Sequence, residues 1–316
     1  MKLSKKVAAF LILALLLTLL PVHTLAAGNP ELSTPLSLTV SYQDGEEKPL
    51  TGAAFHIYLV STMDENGVLT PTADFSGCDV DPVGKDSAAL RNMAFTLESH
   101  VLGAGISPTQ TAETNEQGHA RFPAGGSSLT AGLYLVLGEL HIQYDTRYTA
   151  LPFLVMLPGL SSGNWVYNMA TASKYESHPD EPVPVTRKVL KVWKDQGHEL
   201  LRPRSISVSL YCDGELYETV ILSADTGWSY TWEELDGRHD WTVSEEVSER
   251  YHTEITREGI TFVITNTYNT PTTPTIPGKP NLPQTGQLWW PVPTLFAVGL
   301  LFVVIGLAQR RGGKHE

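Results

Sequence analysis

The last strand signal before the C-terminal segments spans residues 260–268 and reads Ile260-Thr261-Phe262-Val263-Ile264-Thr265-Asn266-Thr267-Tyr268. Every second position from Ile260 to Ile264 is apolar, and this alternation predicts a half-buried β-strand. Asn266 falls on the same apolar phase. Because a buried polar group is costly unless it is paired, we expect Asn266 to meet a polar partner inside the protein.

Residues 187–269 carry further strand signals at short spacing. By number they are 188–193, 205–211, 219–222, 228–232 and 241–247. The turn sequences Asp213-Gly214 and Asp236-Gly237 punctuate the series. Many short strands separated by such turns predict a β-sandwich.

This unit resembles the B-type repeat domain of the collagen adhesin, the Cna B-type family. The phrases that carry the resemblance span the unit in order: Lys191-Val192-Trp193-Lys194-Asp195, Arg202-Pro203-Arg204-Ser205-Ile206, Trp228-Ser229-Tyr230, Trp241-Thr242-Val243-Ser244-Glu245 and Ile264-Thr265-Asn266-Thr267-Tyr268. Many domains of that family form an internal amide, or isopeptide, bond between a lysine on the first strand and an asparagine on the last. A glutamate promotes the reaction. The resemblance implies these roles for Lys191, Asn266 and Glu245.

Strand phase tests this assignment without reference to the family. Lys191 is in phase with Val189, and Glu245 is in phase with Val243, so both fall on the apolar phase of their strands, as Asn266 does. Burial favours the neutral forms of an amine and a carboxyl. A neutral lysine can attack the carboxamide while the protonated carboxyl bonds the amide oxygen and relays protons. Ammonia leaves, and an amide cross-link remains. The alternative is an ordinary buried Lys–Glu pair with Asn266 hydrogen-bonding nearby.

Residues 30–175 form the first unit, which begins with an alternating strand at 36–42. Further strand signals lie at 54–60, 120–122, 132–137, 152–157 and 165–170. The Gly-, Pro- and Asp-rich segment 62–85 is expected to be a loop. A helix is expected to run to about residue 102, capped by Asp86 or Ser87.

Several phrases of the first unit resemble the N-terminal domain of sortase-assembled pilins. They are Pro49-Leu50-Thr51-Gly52-Ala53-Ala54-Phe55, Ala131-Gly132-Leu133-Tyr134-Leu135-Val136, Pro152-Phe153-Leu154-Val155-Met156-Leu157-Pro158 and Trp165-Val166-Tyr167. The fold class expected for the whole chain is all-β, with two Ig-like or prealbumin-like β-sandwich domains in tandem. The first domain carries a helical insertion.

The first unit departs from the isopeptide pattern. Tyr42 stands where the related first strand would carry its lysine, and Asn168 is out of phase with Tyr167 and its apolar neighbours. We therefore predict no isopeptide bond there. Cys78 and Cys212 lie in different units, so no disulfide is expected, and the phase of Cys212 favours a small buried hydrophobe.

Two segments have the composition of spacers. Residues 176–186, rich in proline and acids, are expected to be an extended linker. Residues 270–281, rich in Pro and Thr, predict a stalk with polyproline II character. Residues 1–27 have the lysines, apolar stretch and Ala26-Ala27 ending of a secretory signal peptide.

The pentapeptide Leu282-Pro283-Gln284-Thr285-Gly286 is followed by an apolar span, residues 288–308, and a basic tail, residues 309–316. The apolar span is long enough for a transmembrane helix. The three parts together resemble the cell-wall sorting signal of Gram-positive surface proteins. In that family a sortase cleaves between Thr and Gly, here Thr285 and Gly286, and joins the threonine to peptidoglycan or to another pilin. The alternative is an ordinary single-pass anchor. The resemblance implies a secreted, peptidoglycan-anchored protein that contacts the membrane only as a precursor.

Lys174 lies after the Trp165-Val166-Tyr167 phrase. Pilin shafts present an acceptor lysine at a comparable place, usually after proline, whereas Ser173 precedes Lys174 here. Lys174 is therefore either a pilin acceptor amine or an ordinary solvated lysine.

The composition argues against several classes of function. The formal net charge of −12 leaves no basic stripe for nucleic acid. The ten histidines are scattered without metal-ligand spacing. No motif of a hydrolase or phosphate-binding enzyme is found, and we expect neither a cofactor nor a metal. The expected function is a sortase-anchored structural protein, a minor or basal pilin subunit. The alternative is a monomeric adhesin that binds a host matrix protein or glycan.

Overall fold

The structure, a computed structural model, describes residues 28–246 and 250–269. One compact unit ends at Asn269. The expected signal peptide, stalk, pentapeptide, apolar span and basic tail all lie outside the described residues. Within the described part of the chain, no helix is both long and apolar enough to cross a membrane.

Among the described residues, the first domain contains thirteen strands, one helix and one short 3-10 turn. The strands are β1 (Ser37–Ser41), β2 (Ala54–Met63), β3 (Leu69–Pro71), β4 (Gln110–Glu113), β5 (His119–Phe122), β6 (Gly132–Gly138), β7 (His141–Gln143), β8 (Thr146–Ala150), β9 (Phe153–Leu157), β10 (Gly159–Ser161), β11 (Asn164–Val166), β12 (Asn168–Ala172) and β13 (Tyr175–Pro179). The helix, α1, spans Ser87–Ala104, and the 3-10 turn spans Ala73–Phe75.

Two sheets enclose the main core of the first domain. One has the order β12-β1-β5, with β1 and β12 parallel, and the other has the order β3-β2-β6-β9, with β4 also paired to β2. Leu38, Val40, Phe55 and Ile57 alternate inward from β1 and β2 and are fully buried. Smaller sheets β13-β8-β7 and β10-β11 complete the domain.

The helix forms where the sequence predicts it. The Asp86 side chain caps its first turn by accepting a hydrogen bond of 2.8 Å from the Ala89 N–H. The left-handed Gly105 ends it. Segment 62–85 differs from the loop expectation, because β2 extends through Met63 and β3 pairs with it. Phe75 of this segment packs beneath the helix.

The second domain is a sandwich of two sheets. Its strands are β14 (Pro184–Lys194), β15 (Ser205–Cys212), β16 (Glu215–Ser223), β17 (Ser229–Asp236), β18 (Trp241–Glu245), β19 (Tyr251–Glu258) and β20 (Thr261–Tyr268), and a short 3-10 turn spans Glu199–Leu201. One sheet has the order β17-β14-β20-β19, and the other has the order β16-β15-β18. The pair β14–β20 is parallel, and the other pairs are antiparallel. The expectation of a mostly β chain with one helical insertion is confirmed for the described residues.

Two further features of the chain differ from the sequence expectations. Strand β19 was not predicted, because its sequence is polar at most positions. The segment 176–186, expected to be a spacer, lies largely within the sheets. Strand β13 continues to Pro179 against β8, and β14 already begins at Pro184 against β17. Backbone pairing therefore leaves only residues 180–183 between two strands.

Candidate functional site

The register of the second domain brings the three inward-facing polar residues together. Strands β14 and β20 are parallel neighbours, with Lys191 opposite Ile264 and Trp193 opposite Asn266. Since residues two apart on a strand share a face, Lys191 and Asn266 are diagonal neighbours on one face of the sheet. Glu245 reaches the same place from β18 of the facing sheet.

The three side chains form a chain of hydrogen bonds inside the sandwich. The Lys191 Nζ donates to Glu245 Oε2 at 2.5 Å, and the Asn266 Nδ2 donates to Glu245 Oε1 at 2.8 Å. Lys191, Glu245 and Asn266 are 4%, 5% and 1% exposed. The carboxylate therefore bridges an amine and a carboxamide in a site from which bulk water is excluded.

Burial dominates the acid–base chemistry of the amine. Desolvation lowers the pKa of Lys191 from 10.5 to about 8, even though the neighbouring Glu245 charge and hydrogen bond act in the opposite direction. The Trp193 ring, whose centroid lies 4.8 Å from Lys191 Nζ, forms part of the surroundings. Trp193 in turn packs edge-on against Trp228 and Tyr251.

A second ion pair fixes the end of β14 beyond these aromatic rings. Asp195 is 3% exposed, and the guanidinium of Arg202 binds both of its carboxylate oxygens at 2.6 and 2.5 Å. The hydrogen bonds from Arg202 hold the pKa of Asp195 below its usual range. Bidentate pairs of this kind add geometric specificity as well as energy. The pair therefore holds the strand that presents Lys191.

A fourth side chain, Thr253, also contacts the carboxamide. Thr253 on β19 lies directly opposite Asn266 on β20, and its hydroxyl donates to Asn266 Oδ1 at 2.9 Å. The sequence expectation had Glu245 bonded to the amide oxygen, whereas the structure has Glu245 bonded to the amide nitrogen. Sequence reasoning missed Thr253 because it missed β19. The alternation of Tyr251, Thr253 and Ile255 was the available signal.

The first domain covers the edge of the sandwich beside this site. Strands β18 and β19 each lie at one edge of their sheet, and α1 packs against both. The Ser99 hydroxyl donates to the Val243 carbonyl oxygen at 2.7 Å, and the Ile255 N–H donates to Thr96 Oγ1 at 2.9 Å. Helical side chains thus bind edge-strand backbone groups that another chain would otherwise be free to pair with.

Two further features mark the boundary between the domains. A groove of about 530 Å³ has Glu245 and Thr253 among its lining residues. Nearby, burial raises the pKa of Glu98 to about 8, with repulsion from Asp240 adding to the effect. Burial also raises the pKa of Asp240. The Arg257 guanidinium acts against both shifts and binds Glu176 at 3.2 Å.

The remaining residues singled out in the sequence fall in distinct environments. Tyr42 is fully buried in the first core, edge-on to Phe55, whereas Asn168 is exposed and accepts a hydrogen bond from Ser37. Lys174 is exposed between β12 and β13, where its carbonyl accepts a hydrogen bond from the Leu151 N–H. Leu282, Pro283, Gln284, Thr285 and Gly286 lie outside the described residues.

The cysteines are free thiols, and both are partly buried. Cys212 packs against the second core. Its thiol lies within 4.8 Å of possible ligand atoms of Asp213 and His239. Both Asp213 oxygens already serve the turn, since Oδ1 accepts from the Asp240 N–H and Oδ2 lies 2.6 Å from His239 Nδ1. In the cluster of Cys212, Asp213 and His239, the last two side chains are therefore part of the hydrogen bonding that stabilises this turn.

The fold and the buried site together define a class: a two-sheet β-sandwich with an amine, a carboxylate and a carboxamide in contact inside its core. Residues 187–267 match the family model of the Cna protein B-type domain. The second domain is accordingly a Cna B-type domain. A search among curated proteins finds no significant match to the chain.

Solved structures of surface proteins are similar to this chain at low identity. A single B repeat unit of the collagen-binding surface protein of Staphylococcus aureus is 16% identical, and the match covers 75% of this chain and 99% of that chain, with a TM-score of 0.26. The full-length major pilin SpaD of Corynebacterium diphtheriae is 16% identical, with 76% and 66% covered and a TM-score of 0.31. The pilus protein RrgB of Streptococcus pneumoniae is 12% identical, with 77% and 67% covered and a TM-score of 0.24.

Proposed function

We propose that this chain is a structural subunit of the bacterial cell surface, a minor or basal pilin, whose second domain forms an internal Lys191–Asn266 isopeptide bond. The observation that carries the proposal is the contact of Glu245 with both reacting groups, at 2.5 Å to Lys191 Nζ and 2.8 Å to Asn266 Nδ2. Such a bond suits a mechanical role, because the bond joins the first strand of the domain covalently to the last.

The reaction needs no cofactor. The Lys191 ammonium gives one proton to Glu245, which frees the amine to attack Asn266 Cγ. The Nζ–Cγ bond forms, and a tetrahedral intermediate results. A second proton leaves the attacking nitrogen and passes through Glu245 to Nδ2, the Cγ–Nδ2 bond breaks, and ammonia departs. The product is a secondary amide between the two strands, and the remaining proton returns to solvent. The lowered pKa of Lys191 favours the first step at neutral pH.

An intact-mass measurement tests the bond. The mature protein should be lighter than its sequence by one ammonia, and Lys191→Ala should have the full mass expected for its sequence. Lys194→Ala is the matched control, because Lys194 is an exposed lysine on the same strand. A wild-type protein of full mass would remove the bond from the proposal.

The anchoring part of the proposal rests on the sequence Leu282–Gly286 and the segments after it. Immunoblots of cell-wall extracts test it. A high-mass ladder that disappears when a pilus sortase is deleted supports a pilin, and its loss in Thr285→Ala identifies the joined residue. If Lys174→Ala also abolishes the ladder, Lys174 is the acceptor amine. A single discrete wall-linked species supports the monomeric adhesin instead.

A further inference from the structure

The hydroxyl of Thr253 is hydrogen-bonded to Asn266 Oδ1, the atom of the site on which negative charge would develop. Attack by Lys191 on the Asn266 carboxamide converts the carbonyl oxygen Oδ1 into an oxyanion. The Thr253 Oγ1 already donates a hydrogen bond to this oxygen at 2.9 Å, the distance at which an oxyanion donor acts. Glu245 does not contact Oδ1, because its two oxygens are bonded to Lys191 and to Asn266 Nδ2.

The orientation of the carboxamide follows from the chemistry of its neighbours. Asn266 Nδ2 donates to Glu245 Oε1 at 2.8 Å, so the NH₂ side of the carboxamide faces Glu245. The amide oxygen then points to the opposite side, where the Thr253 hydroxyl is the donor. Before the reaction starts, the NH₂ group that will leave therefore contacts Glu245, and the oxygen that will become the oxyanion contacts Thr253.

Strand pairing gives Thr253 this position. Thr253 and Asn266 are directly opposite on the antiparallel pair β19–β20, and side chains in such a pair share one face. The neighbouring backbone is held from outside the domain, because Thr96 of α1 binds the N–H of Ile255, two residues further along β19. The donor is thus held by the sheet and does not depend on a mobile loop.

We propose that Thr253 is a catalytic residue of isopeptide formation, the hydrogen-bond donor that stabilises the oxyanion on Asn266 Oδ1. This inference rests on the proposed function. No oxidant or further reactant is required. The oxyanion forms with the Nζ–Cγ bond, Thr253 stabilises it, and it collapses to the amide as ammonia leaves.

The test measures the rate of ammonia loss during refolding. The chain is recovered from inclusion bodies in urea, checked for full mass, refolded by dilution and quenched with acid at intervals for intact-mass measurement. Tryptophan fluorescence in the same samples gives the folded fraction. Thr253→Val, which removes the hydroxyl and keeps the shape, should slow bond formation by about 100- to 1,000-fold per folded molecule. Thr253→Ser should restore a rate close to that of the wild type.

Controls separate this inference from the proposed function. Thr256→Val changes a threonine on the same strand, opposite Val263, and should react at the wild-type rate. Glu245→Ala provides the baseline without a proton relay. If the wild type never loses ammonia, the proposed function fails. If the wild type loses it and Thr253→Val reacts equally fast, the bond stands and the role of Thr253 is overturned. Should Thr253→Val fail to fold, Thr253→Ala, which removes the same hydroxyl, decides the matter.

Discussion

Replacing Asn266 by alanine isolates the contribution of the proposed cross-link to stability. The substitution removes the acceptor carboxamide but leaves the Lys191–Glu245 pair in place, so no buried charge loses its partner. A bond from Lys191 to Asn266 closes a loop of about 75 residues, and loop-closure entropy gives such a link about 4 kcal/mol. Without the link, Asn266 makes two hydrogen bonds, to Glu245 and Thr253, which together contribute about 2 kcal/mol. In the linked chain Nδ2 has left as ammonia, so of these two only the bond from Thr253 remains, and it contributes about 1 kcal/mol.

The expected loss for Asn266→Ala is therefore about 5 kcal/mol in the free energy of unfolding if the bond forms, and about 2 kcal/mol if it does not. Urea unfolding followed by tryptophan fluorescence measures the difference. The second domain contributes several reporters: Trp193, Trp228, Trp232 and Trp241. The dependence of the free energy on urea should also become steeper in the variant, because an uncross-linked chain exposes more surface when it unfolds.

Lys194→Met is the control for this experiment, since it changes an exposed lysine at the end of the same strand. Its stability should stay within about 0.5 kcal/mol of the wild type. A loss near 2 kcal/mol for Asn266→Ala, with an unchanged urea dependence and a wild-type protein of full mass, would show that no cross-link stabilises the domain.

Three further predictions follow from the structure. In Asn266→Ala, burial keeps the pKa of Lys191 at about 8, below the 10.5 of the unfolded chain. The unfolded state then binds more protons between these values, and urea unfolding should show stability rising by about 3 kcal/mol from pH 8 to 10.5. The cross-linked wild type has no such amine and should lack this rise. Glu98 changes the stability in the opposite direction. Its pKa of about 8 means that the folded state holds its proton more tightly than the unfolded state does. Its contribution to stability should therefore fall as the pH rises from about 4.5 to 8, and Glu98→Gln should flatten that part of the urea-unfolding profile. A Cβ at Gly103 would collide with the Ser244 hydroxyl, so Gly103→Ala should lower the thermal midpoint, at a cost of about 1–3 kcal/mol. Adding Ser244→Ala should recover part of that loss, and a failure to do so would contradict close contact between α1 and β18.

The alternation of apolar residues was enough to predict that three polar side chains point into the sandwich. Lys191, Glu245 and Asn266 each occupy the apolar phase of a strand, and each is buried in the structure. Lys194 and Glu246, on the opposite phases, are exposed. This works because strand periodicity is local: the side-chain direction of a residue follows from its position along its own strand.

The same local reasoning failed where pairing outweighed composition. Strand β19 has few apolar residues, and it forms because β20 supplies a hydrogen-bonding partner along its whole length. The linker expectation for residues 176–186 failed for a similar reason, since β8 and β17 offer paired backbone to segments whose composition alone favours a spacer.

Local sequence patterns specified a mostly β chain, a helix capped by Asp86 or Ser87, and the inward phase of the three polar residues. These properties depend on neighbours within a few positions along the chain. Two contacts form only in the folded chain: Thr253 binds the Asn266 oxygen, and α1 covers the edge strands beside Glu245. Both contacts join segments that are far apart in sequence. They therefore depend on the register of the sheets and the docking of the helix, which are set by the energy of the whole fold.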